Sequence, residues 1–281
     1  MSGNLYVVAT PIGNLEDLTP RARQTLAEVD LIAAEDTRHT GRLLSSLGVK
    51  KPLLALHDHN EEQVVSRVIE TLEAGRSVAL VSDAGTPLVS DPGFRLVRAA
   101  HQHGIPVSPV AGASAVTAAL SAAGLPTDRF CFEGFLPAKQ AARRSALEAL
   151  AGETRTLVFY ESVHRIAACL DDLCRVFGAE RMAFIGRELT KLHEQCVQRS
   201  LGRLRDKVDD GSIVGKGEFV IVVAGAESGK ASSVDTDRLL LMLGEKLSAR
   251  DAAKIAAEIS GSKKNQLYER LMELKAQSKE G

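Results

Sequence analysis

Short apolar runs alternate with amphipathic stretches along the first 124 residues. Residues 5–9, 31–34, 53–56, 78–81 and 105–110 are too short and too uniformly apolar for surface helices, and they read as buried strands. Between them the period changes. Val64, Val65, Val68, Ile69 and Leu72 share one helical face, as do Phe94, Val97 and Ala100. Helix starts are marked by Thr19-Pro20 and Asp91-Pro92, each an N-cap residue followed by a first-turn proline. Asn60 with Gln63 predicts a capping box, and Gly48, Gly75 and Gly124 predict helix ends. Pro106 and Pro109 make 105–110 an edge or irregular strand. Alternation of this kind predicts an α/β fold with a mostly parallel sheet covered by helices.

Leu125-Pro126-Thr127 breaks the pattern. Beyond it, strands are expected over 130–132, 156–160, 182–185 and 219–223, with a turn at Gly134 and helices over 140–150 and around Ile166, Leu170, Leu173 and Phe177. The later spacing is hairpin-like, so the second sheet is expected to be mixed. Residues 227–233 are small and polar and read as a linker. The tail divides into helices over 237–247, 249–259 and 265–275, with Ser248 as a cap and Gly261-Ser262 as a turn, which is helix-turn-helix spacing. The expected domains are 1–124, 125–227 and a helical module over 234–281.

Composition narrows the class. Among 281 residues, 35 Lys and Arg balance 36 Asp and Glu, so a nucleic-acid partner must be met by a local patch. One such patch lies over 181–207, where seven Lys and Arg face three acids; Lys139 to Arg144 is another. In the tail, Lys263, Lys264 and Arg270 flank the expected second helix of the turn motif. The alternative for either patch is a solvated face, and for the tail a packing or dimerisation module. Cys131, Cys169, Cys174 and Cys196 form no CxxC pair, so no zinc or redox site is expected. No apolar run is long enough to span a bilayer, and the expectation is a reduced, cytoplasmic protein with no membrane partner.

The chemistry concentrates at strand ends. Residues 82–93 combine Gly, Pro, Ser and Asp after the apolar run 78–81, and glycine-containing loops also follow the strands ending near Ala9 and Val110. In open α/β sheets, ligands sit at such carboxyl ends. The alternative is a plain strand-to-helix connection. Neither GxGxxG nor GxxxxGK[ST] occurs, which disfavours a dinucleotide site or a P-loop.

Five motifs then carry a resemblance: residues 9–17 (ATPIGNLED), 34–38 (AEDTR), 82–87 (SDAGTP), 159–165 (FYESVHR) and 186–191 (GRELTK). In this order the chain closely resembles bacterial ribosomal small-subunit RNA (cytidine-2′-O)-methyltransferases, the RNA-modifying branch of the tetrapyrrole methylase superfamily. The resemblance implies two α/β domains plus a small helical tail, S-adenosyl-L-methionine held in the interdomain cleft, a homodimer, and a decoding-region cytidine of small-subunit RNA in the assembled 30S subunit as substrate. It places the methyl donor against Pro11, Ile12, Gly13 and Asn14, against Asp83, Ala84, Gly85, Thr86, Val89 and Ser90, and against Gly112, Ala113 and Ser114. Backbone groups of Gly85 and Gly112 are expected to reach the donor, and Asp83 suits its amino group, ribose or sulfonium. Ser90 and Ser114 are equally suited to capping helices.

A ribose hydroxyl is a poor nucleophile at neutral pH, so a base or polarising cation is expected among Glu35, Asp36, His59, Glu161 and Lys191. Sequence does not choose between them: Glu35 and Asp36 also suit a helix N-terminus, and His59 a loop hydrogen bond. Arg38, Arg143, Arg144, Arg187, Lys263 and Lys264 are the expected RNA contacts. Two rival functions stand beside this reading: methylation of a small tetrapyrrole, and a non-catalytic RNA-binding assembly factor.

Overall fold

The computed structural model describes residues 2–57, 60–226, 236–260 and 262–277. His59, the expected linker over 227–233 and Gly261 lie outside the described residues. The chain forms two compact units, one of residues 1–147 with 155–224 and one of 148–154 with 225–281.

The first unit contains two sheets. β1 (Leu5–Val8), β2 (Leu31–Ala34), β3 (Leu53–Ala55), β4 (Val78–Val81) and β5 (Val107–Val110) form a sheet in the order β3-β2-β4-β1-β5, parallel throughout. All four β4 residues are buried, as a central strand covered on both faces requires. Val78 and Leu80 point to one face, with Val68 and Leu72 of α3 (Glu61–Glu73) and Leu96 and Ala100 of α4 (Phe94–Gln102). Ala79 and Val81 point to the other, with Ala22 and Leu26 of α1 (Pro20–Glu28) and Leu44 of α2 (Thr37–Ser46). The adjacent strands β1 and β4 therefore send their following helices, α1 and α4, to opposite faces. That divergence opens a crevice at their carboxyl ends. The proline-bearing β5 is an edge strand, as expected.

β6 (Phe130–Phe135), β7 (Thr156–Ser162), β8 (Met182–Arg187), β9 (Gln195–Ser200) and β10 (Glu218–Val223) form the second sheet in the order β6-β7-β10-β8-β9. β6 and β7 are parallel and the other pairs antiparallel. Val116, Ala119, Leu120 and Ala123 of α5 (Ala115–Ala123) pack with Val158, Phe184, Val220 and Val222 of this sheet, and Ile12 joins them. α6 (Gln140–Ala149), α7 (Ile166–Phe177) and α8 (Leu201–Asp209) complete the unit's helices.

Several local expectations are corrected. β6 does not stop at 132: a bulge between Phe132 and Gly134, with Gly134 at φ 64°, carries it on to Phe135. β9 and α8 were not expected at all. Asp91 does not cap α4: Gly93, at φ 121°, takes the N-cap position and leaves Asp91 two residues outside. Asn60 makes no capping bond: its side chain accepts from His57 N (2.9 Å) and donates to Ala55 O (3.0 Å), closing the loop after β3.

In the second unit, α9 (Thr236–Lys246), α10 (Ala249–Ser260) and α11 (Lys264–Gln277) enclose Leu240, Ala252, Ala253, Ala256, Leu267 and Leu271. Ser248 caps α10 through Asp251 N at 3.2 Å, as its position predicts. Among the described residues no helix is long and apolar enough to cross a membrane.

Candidate active site in the crevice between the two sheets

The loop after β4 ties together the ends of four strands. Gly85 and Thr10 exchange backbone hydrogen bonds at 3.0 and 2.8 Å, joining it to the loop after β1. Gly85 stands at φ 81°, and a Cβ there would lie 3.2 Å from Ile12 Cγ2. Thr86 Oγ1 donates to Ala113 O at 3.0 Å, reaching the loop after β5. Asp83 Oδ1 accepts from Asp36 N at 3.1 Å, and Asp83 N donates to Glu35 Oε2 at 3.3 Å, reaching the loop after β2. This corrects one expectation: the Gly85 N–H is spent on Thr10 rather than offered to a ligand.

A cavity of about 460 Å³ opens beside this assembly. One wall comes from Ile12, Glu35, residues 83–86, Val89, Ser90, Asp91, Ser114 and Ala115. The other comes from Phe135, residues 160–163, Gly186, Leu189 and residues 217–220. Of the expected donor residues, Ile12, Asp83, Ala84, Gly85, Thr86, Val89, Ser90 and Ser114 line it. Pro11, Gly13, Asn14, Gly112 and Ala113 do not. Gly13 packs against the Lys191 stem, where a Cβ would lie 2.3 Å from Cγ, and Gly112 packs against Ala9. Asn14 accepts from Glu16 N at 3.0 Å and caps a short 3₁₀ turn. Neither Ser90 nor Ser114 makes a side-chain cap: Ser90 precedes α4's cap by three residues, and Ser114 at the α5 N-cap makes no such bond.

Among the described residues the lining includes five carboxylates, Glu35, Asp83, Asp91, Glu161 and Glu218, and no Lys, Arg or His. Most are held. Glu161, 2% exposed, accepts from Ser162 N at 2.7 Å and from Arg165 Nη2 at 3.1 Å. Glu218 pairs with Lys191 at 3.0 Å. Burial pushes the Asp91 carboxyl up to about 6; the Ser82 hydroxyl opposes this, and the charges of Glu35 and Asp83 add to it. Burial, with the Asp91 charge added, pushes the Tyr160 phenol to about 12, and its ring meets Phe132 and Phe135 edge-on at 4.9 and 5.5 Å. Leu88 and Ser90 adopt left-handed backbone at φ 71° and 67°, strain concentrated beside the cavity.

The remaining candidates stand apart from the lining. Asp36 caps α2, accepting from Arg38 N at 2.7 Å and His39 N at 3.4 Å. Its hydrogen bonds from the Arg38 side chain and backbone hold its carboxyl well below the usual range. Burial would lower Lys191, but hydrogen bonds to Glu188 and Glu218 outweigh it and keep the ammonium charged. Two expected RNA contacts are corrected outright. Arg143 is 3% exposed and pairs with Asp172 at 2.7 Å. Arg187 is 5% exposed and donates to Lys216 O, to His193 O at 2.8 Å and to Gln195 Oε1 at 3.2 Å. Both guanidiniums are internal struts. Arg144 also binds Asp172, at 2.6 Å, and the exposed Arg38 binds Asp36 at 2.7 Å. Lys263 is exposed and Lys264 half-buried. Of the second wall, sequence reasoning singled out Glu161 as a candidate and quoted the motifs around it and around Gly186; Phe135, residues 217–220 and a cavity-lining role for Asp91 were missed.

Comparisons with known proteins agree with this geometry. The profile of the Tetrapyrrole (Corrin/Porphyrin) Methylases matches residues 4–205, and that of the RsmI C-terminal HTH domain matches residues 230–275. The chain is similar to ribosomal RNA small subunit methyltransferase I of Xylella fastidiosa strain Temecula1, 54% identical over 95% of this chain and 98% of the relative. It is similar also to the protein of that name from Pseudomonas aeruginosa, 51% identical over 99% of each. Among solved structures, the methyltransferase CobJ superposes with a TM-score of 0.60 at 23% identity, covering 80% of this chain and 95% of that one. Uroporphyrin-III C-methyl transferase from Thermus thermophilus, complexed with S-adenyl homocysteine, superposes with a TM-score of 0.55 at 21% identity, covering 79% and 97%. The crevice at the β1 and β4 ends, the mixed second sheet and the near full-length relatives lead to one conclusion: the chain belongs to the tetrapyrrole (corrin/porphyrin) methylases, in the ribosomal RNA small subunit methyltransferase I family.

Proposed function

We propose that this protein transfers a methyl group from S-adenosyl-L-methionine to the ribose 2′-hydroxyl of a cytidine in the decoding region of small-subunit (16S) ribosomal RNA. Its substrate is the assembled 30S subunit, and it works in the cytoplasm as a homodimer. The observation that carries the reading is the charge of the cavity: among the described residues five carboxylates line it and no basic side chain does. A cationic sulfonium is attracted there, whereas a substrate carrying several carboxylates, as tetrapyrrole precursors do, is repelled. Ile12, Val89, Leu189 and Val220 offer apolar wall for a flat nucleobase, and Thr86, Ser90 and Ser114 offer hydroxyls for its sugar and amino-acid ends. Asp83 is the carboxylate best placed for the donor's positive groups, because its backbone bonds fix it against β2.

When bound, the donor supplies an activated methyl on a positively charged sulfur. The chain's part is alignment. The interlocked loops hold the donor face rigid, and the second-sheet wall excludes water behind it. With label in the donor methyl, small subunits from cells lacking the activity are expected to become labelled and a carboxylated tetrapyrrole precursor is not. Labelling of the tetrapyrrole instead would overturn the reading. Donor binding without transfer to either would favour the non-catalytic alternative.

The tail is read as an RNA-docking module carried by Lys263 and Lys264, since Arg270 is tied to Asp237 and Glu273. Replacing both lysines by glutamate is expected to raise KM for the subunit several-fold while donor affinity, measured by calorimetry, stays unchanged. An unchanged KM would remove the tail from recognition.

A further inference from the structure

We propose that Asp91 accepts the proton of the attacking ribose hydroxyl. The inference rests on the methyl-transfer reading above and adds a residue that the family motifs did not point to.

The other cavity carboxylates are already engaged. Glu161 is fastened by Ser162 N and Arg165, Glu218 by Lys191, and Asp83 and Glu35 by bonds to the backbone of neighbouring loops. Asp36 is a helix cap paired with Arg38. Asp91 has the Ser82 hydroxyl as its hydrogen-bonding neighbour, and the groups facing it are the carboxylates of Glu35 and Asp83 and the phenol of Tyr160. Among the described residues no cation is one of the groups that shift it. A carboxylate without a cation keeps its basicity.

Backbone geometry explains how it comes to be there. The motif Ser90-Asp91-Pro92-Gly93 has the signature of a helix start, yet Gly93 adopts a φ of 121° that favours glycine and takes the cap. Ser90, at φ 67°, bends the chain just before it. Asp91 is thereby turned into the cavity wall instead of onto the end of α4. A serine held in left-handed backbone beside an acid that does no capping is a costly way to build a connection.

The step balances with groups already named. As the ribose oxygen bonds to the methyl carbon, the carbon–sulfur bond breaks and its electron pair stays on sulfur, which becomes a neutral thioether. The hydroxyl proton passes to the Asp91 carboxylate and later to solvent. The positive charge of the sulfonium and the negative charge of Asp91 disappear together, which suits a half-buried site. A base that titrates at about 6 is ionised at neutral pH and still basic enough to take the proton.

The test compares pH profiles on the intact protein with small subunits as substrate. In the wild type, kcat/KM is expected to rise about tenfold per pH unit at low pH and to level off above about 6. D91N is expected to lose about 100-fold or more in kcat and to lose that acidic limb. Its affinity for S-adenosylhomocysteine, whose sulfur is uncharged, is expected to stay within about twofold by calorimetry, and an infrared carboxyl band titrating near pH 6 is expected to be missing. D91E, which keeps a carboxylate at a changed depth, is expected to regain part of kcat with the limb displaced. An acidic limb that persists in D91N, or one that does not move in D91E, would overturn the assignment. So would a loss of product binding in a folded D91N, which would make Asp91 a donor-holding residue. No methyl transfer by the wild type at any pH would count against the proposed function itself; transfer by the wild type with an unchanged D91N profile would count against Asp91 alone.

Discussion

Asp83→Ala is expected to weaken binding of the methyl donor by roughly 2–3 kcal/mol, about 30- to 150-fold. Two losses combine. The cavity loses a carboxylate that faces the donor's positive groups, and the Asp36 N–H loses its acceptor at 3.1 Å. The second loss matters because Asp83 couples the loops after β2 and β4, so the wall against the donor loosens as well. Calorimetry with S-adenosyl-L-methionine, beside a melting curve to confirm folding, measures it. Wild-type affinity in a folded variant would remove Asp83 from the donor site.

The second large effect is on stability. Asp172 on α7 is fully buried and binds two arginines of α6, Arg143 at 2.7 Å and Arg144 at 2.6 Å. Asp172→Ala leaves the Arg143 guanidinium inside the protein without its counter-charge, and about 3–5 kcal/mol of stability is expected to go. The double variant Arg143→Met with Asp172→Leu is expected to recover most of it, because the penalty comes from the orphaned charge. pH provides a second check. Burial opposes ionisation of Asp172, but hydrogen bonds from Arg144 and Arg143 outweigh it and its carboxyl sits below the usual value. The group therefore contributes stability above its unfolded pKa of about 3.9, and the contribution fades as pH falls through the lower folded value. Urea unfolding should show a large gap between wild type and Asp172→Ala at neutral pH and a shrinking one in acid. A gap under about 1 kcal/mol at neutral pH would contradict the strut.

How much of this was legible in the sequence depended on how local each signal was. β4 was readable because a strand buried on both faces must be apolar at every position. The tail helices were readable because Leu240, Ala252, Ala253, Ala256 and Leu271 recur at helical spacing. Edge strand β9 was not: its residues, Gln-Cys-Val-Gln-Arg-Ser, carry little apolar alternation, and the turn before it runs through left-handed Glu188 and Thr190 rather than glycines. The basic patches misled for a related reason. Arg143 and its acid Asp172 lie 29 residues apart, and no local pattern reveals that they meet in the interior.

The candidate site divides along the same line. Its first wall was legible because each loop follows its own strand. The second wall depends on β10 inserting between β7 and β8, which brings residues 217–220 opposite residues 83–91. Asp91 was visible but placed in the wrong role. Asp-Pro is a sound helix-start signal, and it was overridden here by a glycine two residues later.

The measurement that bears most directly on the central claim is nucleoside analysis of small-subunit RNA after incubation with this protein and methyl-labelled S-adenosyl-L-methionine, using subunits from cells lacking the activity. Label is expected in a single nucleoside, 2′-O-methylcytidine, from the decoding region. Label on a base rather than a ribose, or none at all from a protein that binds the donor, would contradict it.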